Sequence, residues 1–450
     1  MLGNIDFKLK ENSYTNKDKS IFNIAIGISC IILVNILNPI ISIMIHIGLI
    51  KYSMNNKVKA IKALIISFTI FFLNPGIFHI DYSIVPNLRW IIFFSSLITL
   101  INNTKKITLN KGWLYTFIIW VMFVSVVSIL NSNLPLVSLS KLFMFSLGFI
   151  AINIGVSETN NTYNWKKWIF AYCLSIQYLS LPFLFLPAGY FINGTGFQGI
   201  TNQPNAFGII TAVMISIYIF LNSQLEFKKY SKLIHFSIFI SIVMLISSKS
   251  RTSMLALILS LVIYFFIRLY NSLISRRVKL KSLVIIIFFT VISSIFITFN
   301  YENICNQISE LLFKGGYENI LFSSQSIIEG QNEAILNSPI IGNGFGVEWN
   351  PNKEKSLNLS LSYPVEKRNL LLALISETGM IGTVIFGVFL AQYTNILKYK
   401  KFTCIECIFI SAIMINFGEM VFFSGNGIGI FIWFILAFYN NQKDIIIKKI

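Results

Sequence analysis

Charged residues are scarce in this chain. Asp, Glu, Lys and Arg make up 12% of its 450 residues, whereas soluble domains contain about 25%. Hydrophobic residues account for 55%, and Phe alone occurs 42 times. They form long apolar runs separated by short polar breaks, and a helix of roughly 17 to 25 apolar residues crosses a bilayer. The composition excludes a water-soluble globular protein and a disordered chain, and it predicts a polytopic membrane protein.

Acidic residues and cysteines are also few. Eighteen Asp and Glu stand against 36 Lys and Arg, a formal net charge of +18. In a soluble protein this excess would suggest a nucleic-acid partner. Here the cations lie between apolar runs, so the excess reflects membrane topology and no nucleic-acid partner is expected. The five Cys form no paired framework, and no structural disulfide is expected.

The apolar runs predict an all-α fold, a polytopic bundle of about fourteen transmembrane helices. Residues 21–50 could form one long helix, but the Asn38-Pro39 pair favours a break there. The predicted spans cover residues 21–37, 39–54, 60–74, 84–102, 113–131, 136–156, 167–187, 206–222, 233–248, 252–270, 282–299, 369–391, 402–420 and 424–440.

The distribution of Lys and Arg predicts the orientation of the bundle. If residues 21–54 form a hairpin, most basic residues fall on the side of the N-terminus, and basic loops are retained in the cytoplasm during insertion. The terminal tails, residues 1–20 and 441–450, are therefore predicted to be cytoplasmic. A single long first helix would scramble this pattern.

One long external segment divides the bundle into residues 21–299 and 369–440. This segment, residues 300–368, contains eight Glu against five basic residues. Loops of this length are usually functional, and its stretches 304–312 and 323–336 have apolar residues at helical spacing. We expect a partly helical lid over the outer face of the bundle.

A cluster of cations and hydroxyl groups lies between the ninth and tenth predicted spans. It contains Lys249, Ser250 and Arg251 and is predicted to lie on the external side of the membrane. A guanidinium group, hydroxyl groups and a helix start together suit phosphate oxygens. The alternative is that Lys249 and Arg251 only end the hydrophobic run, with their side chains extended to place the charges in water. Arg occurs only six times, and three of the six are on the predicted outer side, namely Arg89, Arg251 and Arg368, which favours an anion site.

A second polar group enters the twelfth predicted span. Arg368 and Asn369 begin it, and Glu377 follows Asn369 by eight residues, on the same helix face. A carboxylate inside an apolar segment is costly unless it faces protein or water. One interpretation places these three residues around one polar cavity. The other pairs Glu377 with a neighbouring helix for packing. Glu419, near the outer end of the thirteenth span, is a second buried-acid candidate.

Amides and glycines mark three further places. Asn202 and Asn205 precede the eighth span, where they suit either helix capping or sugar hydroxyl groups. Residues 337–346 look like a nucleotide-binding glycine cluster but lack the preceding strand and following helix, so a tight turn is expected. Gly379 and Gly382 are expected to allow close helix approach.

The order of these motifs resembles the O-antigen polymerase and ligase family of bacterial envelope proteins. The resemblance covers roughly residues 190–395, and the first 190 residues match in hydropathy only. It rests on Ser250-Arg251-Thr252 at a helix start, on Gly199 with Pro204-Asn205-Ala206, on Pro339-Ile-Ile-Gly-Asn-Gly-Phe-Gly346, and on Asn369 with Glu377-Thr-Gly379-Met-Ile-Gly382.

The resemblance implies an all-helical glycosyltransferase without metal or other cofactor, acting at the periplasmic face of the bacterial inner membrane on undecaprenyl-diphosphate-linked glycans. Where ligases place a His before the Asn of the twelfth span, this chain has Arg368, and where many members have an Arg before the eighth span it has Gly194-Thr-Gly196. We therefore expect an O-antigen polymerase rather than a ligase that transfers glycan to lipid A-core. The missing His puts any single-residue general base in doubt.

The reaction assigns roles to the candidate residues. The lipid diphosphate leaves with negative charge, which nearby cations stabilise, and the acceptor hydroxyl loses its proton to Glu377 or to a loop acid such as Glu348. The expected catalytic residues are Arg251, Arg368 and Glu377, and the expected substrate-binding residues are Lys249, Ser250, Asn202, Asn205 and Asn369.

Expected partners are undecaprenyl-diphosphate-linked glycans, membrane lipid, a chain-length regulator and a flippase. The main rival from another class is that the protein is itself a lipid-linked oligosaccharide flippase. Transporters typically carry internal repeats with a site at the membrane midplane, and no repeat between the two halves is evident. A non-catalytic envelope scaffold would explain the hydropathy but not the external Arg positions.

Overall fold

The computed structural model describes residues 20–102, 109, 111–190, 196–274, 329–349, 356, 369–394, 404–424 and 428–448. These ranges are almost entirely helical, and extended pairing within them is limited to two isolated bridges. A short helical segment covers residues 329–337. The longer helices are α1 (Ile21–Leu33), α2 (Pro39–Ser53), α3 (Lys57–Phe71), α4 (Val85–Ile101), α5 (Lys111–Asn131), α6 (Pro135–Thr159), α7 (Trp165–Ser180), α8 (Pro204–Asn222), α9 (Ser231–Ser248), α10 (Arg251–Ile274), α11 (Leu370–Thr394), α12 (Glu406–Asn416) and α13 (Ile428–Lys448).

The all-helical class is confirmed, and the apolar helices are those of a multi-pass membrane protein. Six helical stretches of the described ranges are long and apolar enough to cross a membrane, and six shorter apolar helices accompany them. The figure of about fourteen spans stays a prediction, and the span predicted at residues 282–299 lies outside the described residues. The six long stretches are Gly112–Asn131, Pro135–Thr159, Trp165–Phe185, Pro204–Asn222, Leu225–Ser248 and Leu370–Thr394.

Local capping chemistry explains where several helices begin. The predicted break between the first two spans is present: α1 is followed by a 3-10 turn at Val34–Ile36, and the Asn38 side chain accepts a hydrogen bond from Ile40 N at 2.8 Å. Pro39 occupies the first turn of α2, where its missing N–H is not needed. The side chains of Asn56 and Asn164 cap α3 and α7 in the same way.

Several helix ends differ from the predicted spans, among them those of α7, α12 and α13. α7 stops at Ser180 and gives way to 3-10 turns that contain Pro182, since proline cannot continue the backbone ladder. α12 has 11 residues because Asn416 Oδ1 accepts hydrogen bonds from Val421 N and Phe422 N, which folds the chain back. α13 continues to Lys448, into the segment predicted as a tail.

The connections between antiparallel helices gather at two ends of the bundle. At one end, here called the basic end, Lys57 at the start of α3 pairs with Glu158 of α6, and Lys166 pairs with Glu226 at 3.0 Å. At the other end, here called the site end, the loop before α8 bonds to the end of α9, with Phe197 N donating to Ser247 O at 2.9 Å.

A cluster of aromatic rings ties α5, α6, α11 and α13 together beneath the site end. Its ring centroids lie 5.0 to 6.1 Å apart along a continuous chain of edge-on and stacked contacts. Gly148 lets α6 approach α13 here, since a Cβ atom at this position would lie 2.8 Å from the Trp433 ring. The members are Phe117, Trp120, Phe145, Phe149, Phe345, Phe386, Phe389, Phe422, Phe423 and Trp433.

Candidate functional site

Residues 337–349, here called the glycine loop, lie directly against α11. Three of its glycines adopt left-handed backbone, with φ of 83° at Gly342, 106° at Gly344 and 67° at Gly346, a region that side chains with a Cβ atom disfavour. A Cβ atom at Gly342 would lie 2.4 Å from Glu377 O. The predicted turn is thus a docked loop whose glycines permit close backbone contact.

α11 is interrupted where the loop docks. Gly379 has φ 65° and ψ −177° in the middle of the helix, so backbone groups on both sides of it lose their helical partners. The glycine loop replaces those partners. Four backbone hydrogen bonds join the two segments: Asn343 N to Ser376 O at 3.0 Å, Gly344 N to Glu377 O at 2.9 Å, Met380 N to Pro339 O at 2.9 Å and Ile381 N to Ile340 O at 3.2 Å.

The Asn343 side chain reinforces this contact. It is buried, with 6% of its surface exposed. Its Nδ2 group donates to Ala334 O at 2.6 Å and to Ser376 O at 3.0 Å, and its Oδ1 accepts from Asn337 Nδ2 at 2.7 Å. One amide therefore holds the helical segment 329–337 and α11 together.

Residues near the end of α5 and the start of α6 form hydrogen bonds to the opposite side of the loop. Asn131 Nδ2 donates to Gly342 O at 2.8 Å, and Lys141 Nζ donates to Gly346 O at 2.7 Å. Phe345 N donates to Ser128 Oγ at 3.2 Å, and the Phe345 ring enters the aromatic cluster. The loop is consequently held from two sides by helices of the bundle.

Glu377 lies two residues before the break and is 1% exposed. Its backbone carbonyl is the acceptor for Gly344 N, so the position of its side chain depends on the docked loop. Asn369 lies at the start of α11, where its Oδ1 accepts from Leu371 N at 2.9 Å and Leu372 N at 3.3 Å. Its amide oxygen thus acts as a helix cap, and the shared cavity stays a prediction. Arg368 lies outside the described residues.

The cation cluster forms a tight junction between α9 and α10. Lys249 is exposed and has left-handed backbone, with φ 51°, which is costly for a residue with a side chain and often marks a functional site. Arg251 begins α10 and is partly buried. Ser250 is fully buried and donates to Ser253 Oγ at 2.8 Å. Its side chain packs on Gly208 of α8, where a Cβ atom would lie 2.4 Å away.

The loop before α8 presents the predicted amides at the same end. Asn205 is exposed in the first turn of α8, and Asn202 is partly buried with its N–H donated to Phe72 O at 2.9 Å. Asn202 Oδ1 is buried and has no hydrogen-bond partner among the described residues. Gln203 is the residue before the helix and makes no side-chain cap. Pro204 therefore starts α8 without capping by either Asn.

The turn after α12 links the cation cluster to the glycine loop. A Cβ atom at Gly418 would lie 2.5 Å from the Thr252 side chain, so the turn is packed against the start of α10. Five residues later, the Phe423 ring lies 5.2 Å from that of Phe345 in the loop. Glu419 lies on this turn, beyond the end of α12. The described candidates at the site end are Asn202, Asn205, Lys249, Ser250, Arg251, Asn369 and Glu377.

Arg89 occupies a different environment from that of an external cation. It is 3% exposed within α4, and its guanidinium lies 3.7 Å from the centre of the Phe71 ring, a cation–π geometry.

Among the described residues, no group of three or more His, Cys, Asp or Glu could hold a metal ion. The polar chemistry at the site end consists of cations, hydroxyl groups, amides and one buried carboxylate.

Asn343, Asn131 and Lys141 are site residues that the sequence patterns did not single out. Asn131 ends the fifth predicted span and Lys141 lies inside the sixth, so a polar residue in an apolar segment was the available signal. Their partners lie on other parts of the chain. Lys141 and its acceptor are separated by 205 positions. Gly379 was expected to allow helix approach, and its close contact is with the loop carbonyl of Ile340.

Replacing Gly379 with Ala tests the docked loop. A Cβ atom there would lie 2.2 Å from Ile340 O, and φ is positive, so we expect G379A to be destabilised by about 2 kcal/mol or more. Thermal unfolding of the purified protein in detergent measures this.

Gly387 in the same helix is the matched control, because a Cβ atom there meets nothing within 4 Å. G387A should unfold at or slightly above the wild-type temperature, since Ala favours helix. Equal unfolding temperatures for G379A and wild type would contradict the docked arrangement.

Comparison with known proteins identifies part of the chain. A family model described as O-antigen ligase matches residues 236–387, from α9 into α11. No curated protein matches the chain. The matched segment contains the cation cluster, the glycine loop and Glu377, and it supports an O-antigen ligase or polymerase type of function in a glycosyltransferase-like enzyme. The predicted resemblance to the O-antigen ligase and polymerase family is confirmed over residues 236–387, which match this family's model.

Proposed function

We propose that this protein is a polymerase that joins polysaccharide repeat units carried on undecaprenyl diphosphate at the periplasmic face of the inner membrane. One observation carries the proposal. Within the matched segment, the start of α10 with Arg251 and the glycine loop that holds Glu377 pack against the same turn, residues 417–424. A cation for a leaving phosphate and a carboxylate for an incoming hydroxyl thus belong to one connected structure.

The cation cluster suits the donor lipid. Arg251 is the first residue of α10, and a helix start carries partial positive charge that adds to the guanidinium. Lys249 is exposed two residues earlier. Charge that develops on a diphosphate leaving group is stabilised by such fixed cations more in the transition state than in the bound substrate, which is the requirement for catalysis.

Glu377 suits the acceptor. As the acceptor hydroxyl attacks the anomeric carbon, the bond to the lipid diphosphate breaks and the hydroxyl proton passes to a base. A buried carboxylate fixed by its backbone is a suitable proton acceptor. Glu348 is exposed on the glycine loop and is the alternative acid.

A ligase is the second candidate, because the matching family model is described as O-antigen ligase. The polymerase is favoured by Arg368, which stands where ligases are expected to place a His. A flippase fits less well, since transporters bind substrate near the membrane midplane and the described candidates lie at one end of the helices.

The orientation is tested by cysteine labelling. Asn55 at the basic end and Gln203 at the site end are both exposed. In a variant with the five native Cys replaced by Ser, Q203C should react with an impermeant maleimide in intact spheroplasts, and N55C only after permeabilisation, because basic loops remain cytoplasmic. Labelling of both from the same side, or in the reverse order, would contradict the periplasmic site.

Arg251→Ala tests the donor site in a strain deleted for the gene. We expect at least a hundredfold loss of polymer, because a fixed positive charge at the leaving group is removed, with partial activity in Arg251→Lys. Lipopolysaccharide gels should show loss of the ladder and a retained band of core plus one unit.

Lys232→Ala, an exposed cation at the basic end, is the control and should give a wild-type ladder. Loss of all capped core would indicate a ligase or a flippase. A wild-type ladder from Arg251→Ala would remove the anion site.

Glu377→Gln and Glu348→Gln decide which acid accepts the proton. The first should lower the polymerisation rate by about 10² or more at an unchanged unfolding temperature, because the backbone bonds to the loop are kept. The second, on an exposed side chain, should have little effect. The assay uses purified protein in nanodiscs with lipid-linked glycan extracted from the deletion strain, and the opposite ranking would transfer the role to Glu348.

A further inference from the structure

Gln331 is a buried amide whose polar atoms are both unpaired. It lies on the helical segment 329–337 with 6% of its surface exposed. Neither Oε1 nor Nε2 has a hydrogen-bond partner within the part of the chain that the structure describes. Among the described carboxamides, Asn35, Gln198 and Asn202 each leave one buried oxygen unpaired, and Gln331 leaves both ends unpaired. Native proteins rarely keep a buried amide in this state, so a bound group is the expected partner.

The position of Gln331 relates it to Glu377. Gln331 precedes Ala334 by three residues, which places the two on one helix face. Ala334 is buried, and its carbonyl accepts from Asn343 Nδ2, which also donates to Ser376 O, the neighbour of Glu377. The face that carries Gln331 is therefore the face held against the glycine loop and α11.

The chemistry of an amide selects a neutral hydroxylated ligand. A carboxamide offers two N–H donors and one oxygen acceptor, and each hydroxyl group of a sugar both donates and accepts. A phosphate would instead call for the cations that lie near Arg251. We propose that Gln331 lines a subsite for a sugar residue of the lipid-linked glycan and binds its hydroxyl groups. This inference rests on the proposed function and adds a sugar-binding group on the helical segment that Asn343 joins to α11.

Gln331→Met tests the subsite because we expect it to weaken substrate binding without lowering the stability of the protein. Met has nearly the same length and no need for hydrogen bonds. Removing an unpaired buried amide should leave the unfolding temperature unchanged or raise it. Loss of the sugar contacts should raise the KM for extracted lipid-linked glycan about tenfold or more. Unfolding in detergent and polymerisation in nanodiscs measure the two effects.

Asn332→Met is the matched control, since Asn332 is the next residue and is exposed. It should leave both quantities unchanged. Gln331→Glu keeps the acceptor and the shape but loses both donors, so it should also raise the KM. These two variants separate the loss of the amide from a general effect of altering this segment.

The outcomes distinguish this inference from the proposed function. A Gln331→Met protein that unfolds at a lower temperature or does not fold would show that the amide is paired within the protein, and an unchanged KM would show that it does not bind the sugar. Either result overturns the inference while wild-type polymerisation continues. If the wild-type protein forms no polymer from the extracted glycan, the proposed polymerase itself fails.

Discussion

A peptide group cannot be left unpaired inside a membrane protein's apolar interior, and the break in α11 at Gly379 exposes several at once. The glycine loop resolves this problem by bonding to the carbonyls before the break and to the amides after it. The glycine loop is therefore structurally part of α11. This constraint explains why glycines lie on both sides of the contact. A Cβ atom on Gly342 would clash with the backbone of α11, and a Cβ atom on Gly379 would clash with the backbone of the glycine loop.

The same contact fixes the position of Glu377. Glu377 is two residues from the break, and the carbonyl of Glu377 is held by the loop, so the carboxylate cannot move along the helix without separating the loop from α11. The aromatic cluster below anchors Phe345 from the loop and Phe386 from α11 in one packed unit. A catalytic group benefits from such support because small displacements of a reacting group cost large factors in rate.

The features that could be predicted from the sequence depend on local chemistry. The break at Asn38 and Pro39, the start of α8 at Pro204 and the cation cluster before α10 each depend on residues that are neighbours in the chain. The bonds that build the site connect distant positions, such as Asn131 to Gly342 across 211 residues, and no local pattern encodes them. Arg89 shows the same limit: its sequence position predicts a cation on the outer side, but does not reveal that its guanidinium packs against the Phe71 ring of α3.

In the proposed reaction, the hydroxyl of one lipid-linked glycan approaches the anomeric carbon of the other while the lipid diphosphate departs from that carbon, so groups are needed on both sides of it. The turn after α12 is consistent with this proposal, because Gly418 contacts the start of α10 and Phe423 contacts the glycine loop. The start of α10, which carries Arg251, and the glycine loop, which holds Glu377, thus contact different residues of one turn. In the proposed reaction, Arg251 and the start of α10 would stabilise the leaving phosphate, and Glu377, held by the glycine loop, would accept the proton of the incoming hydroxyl.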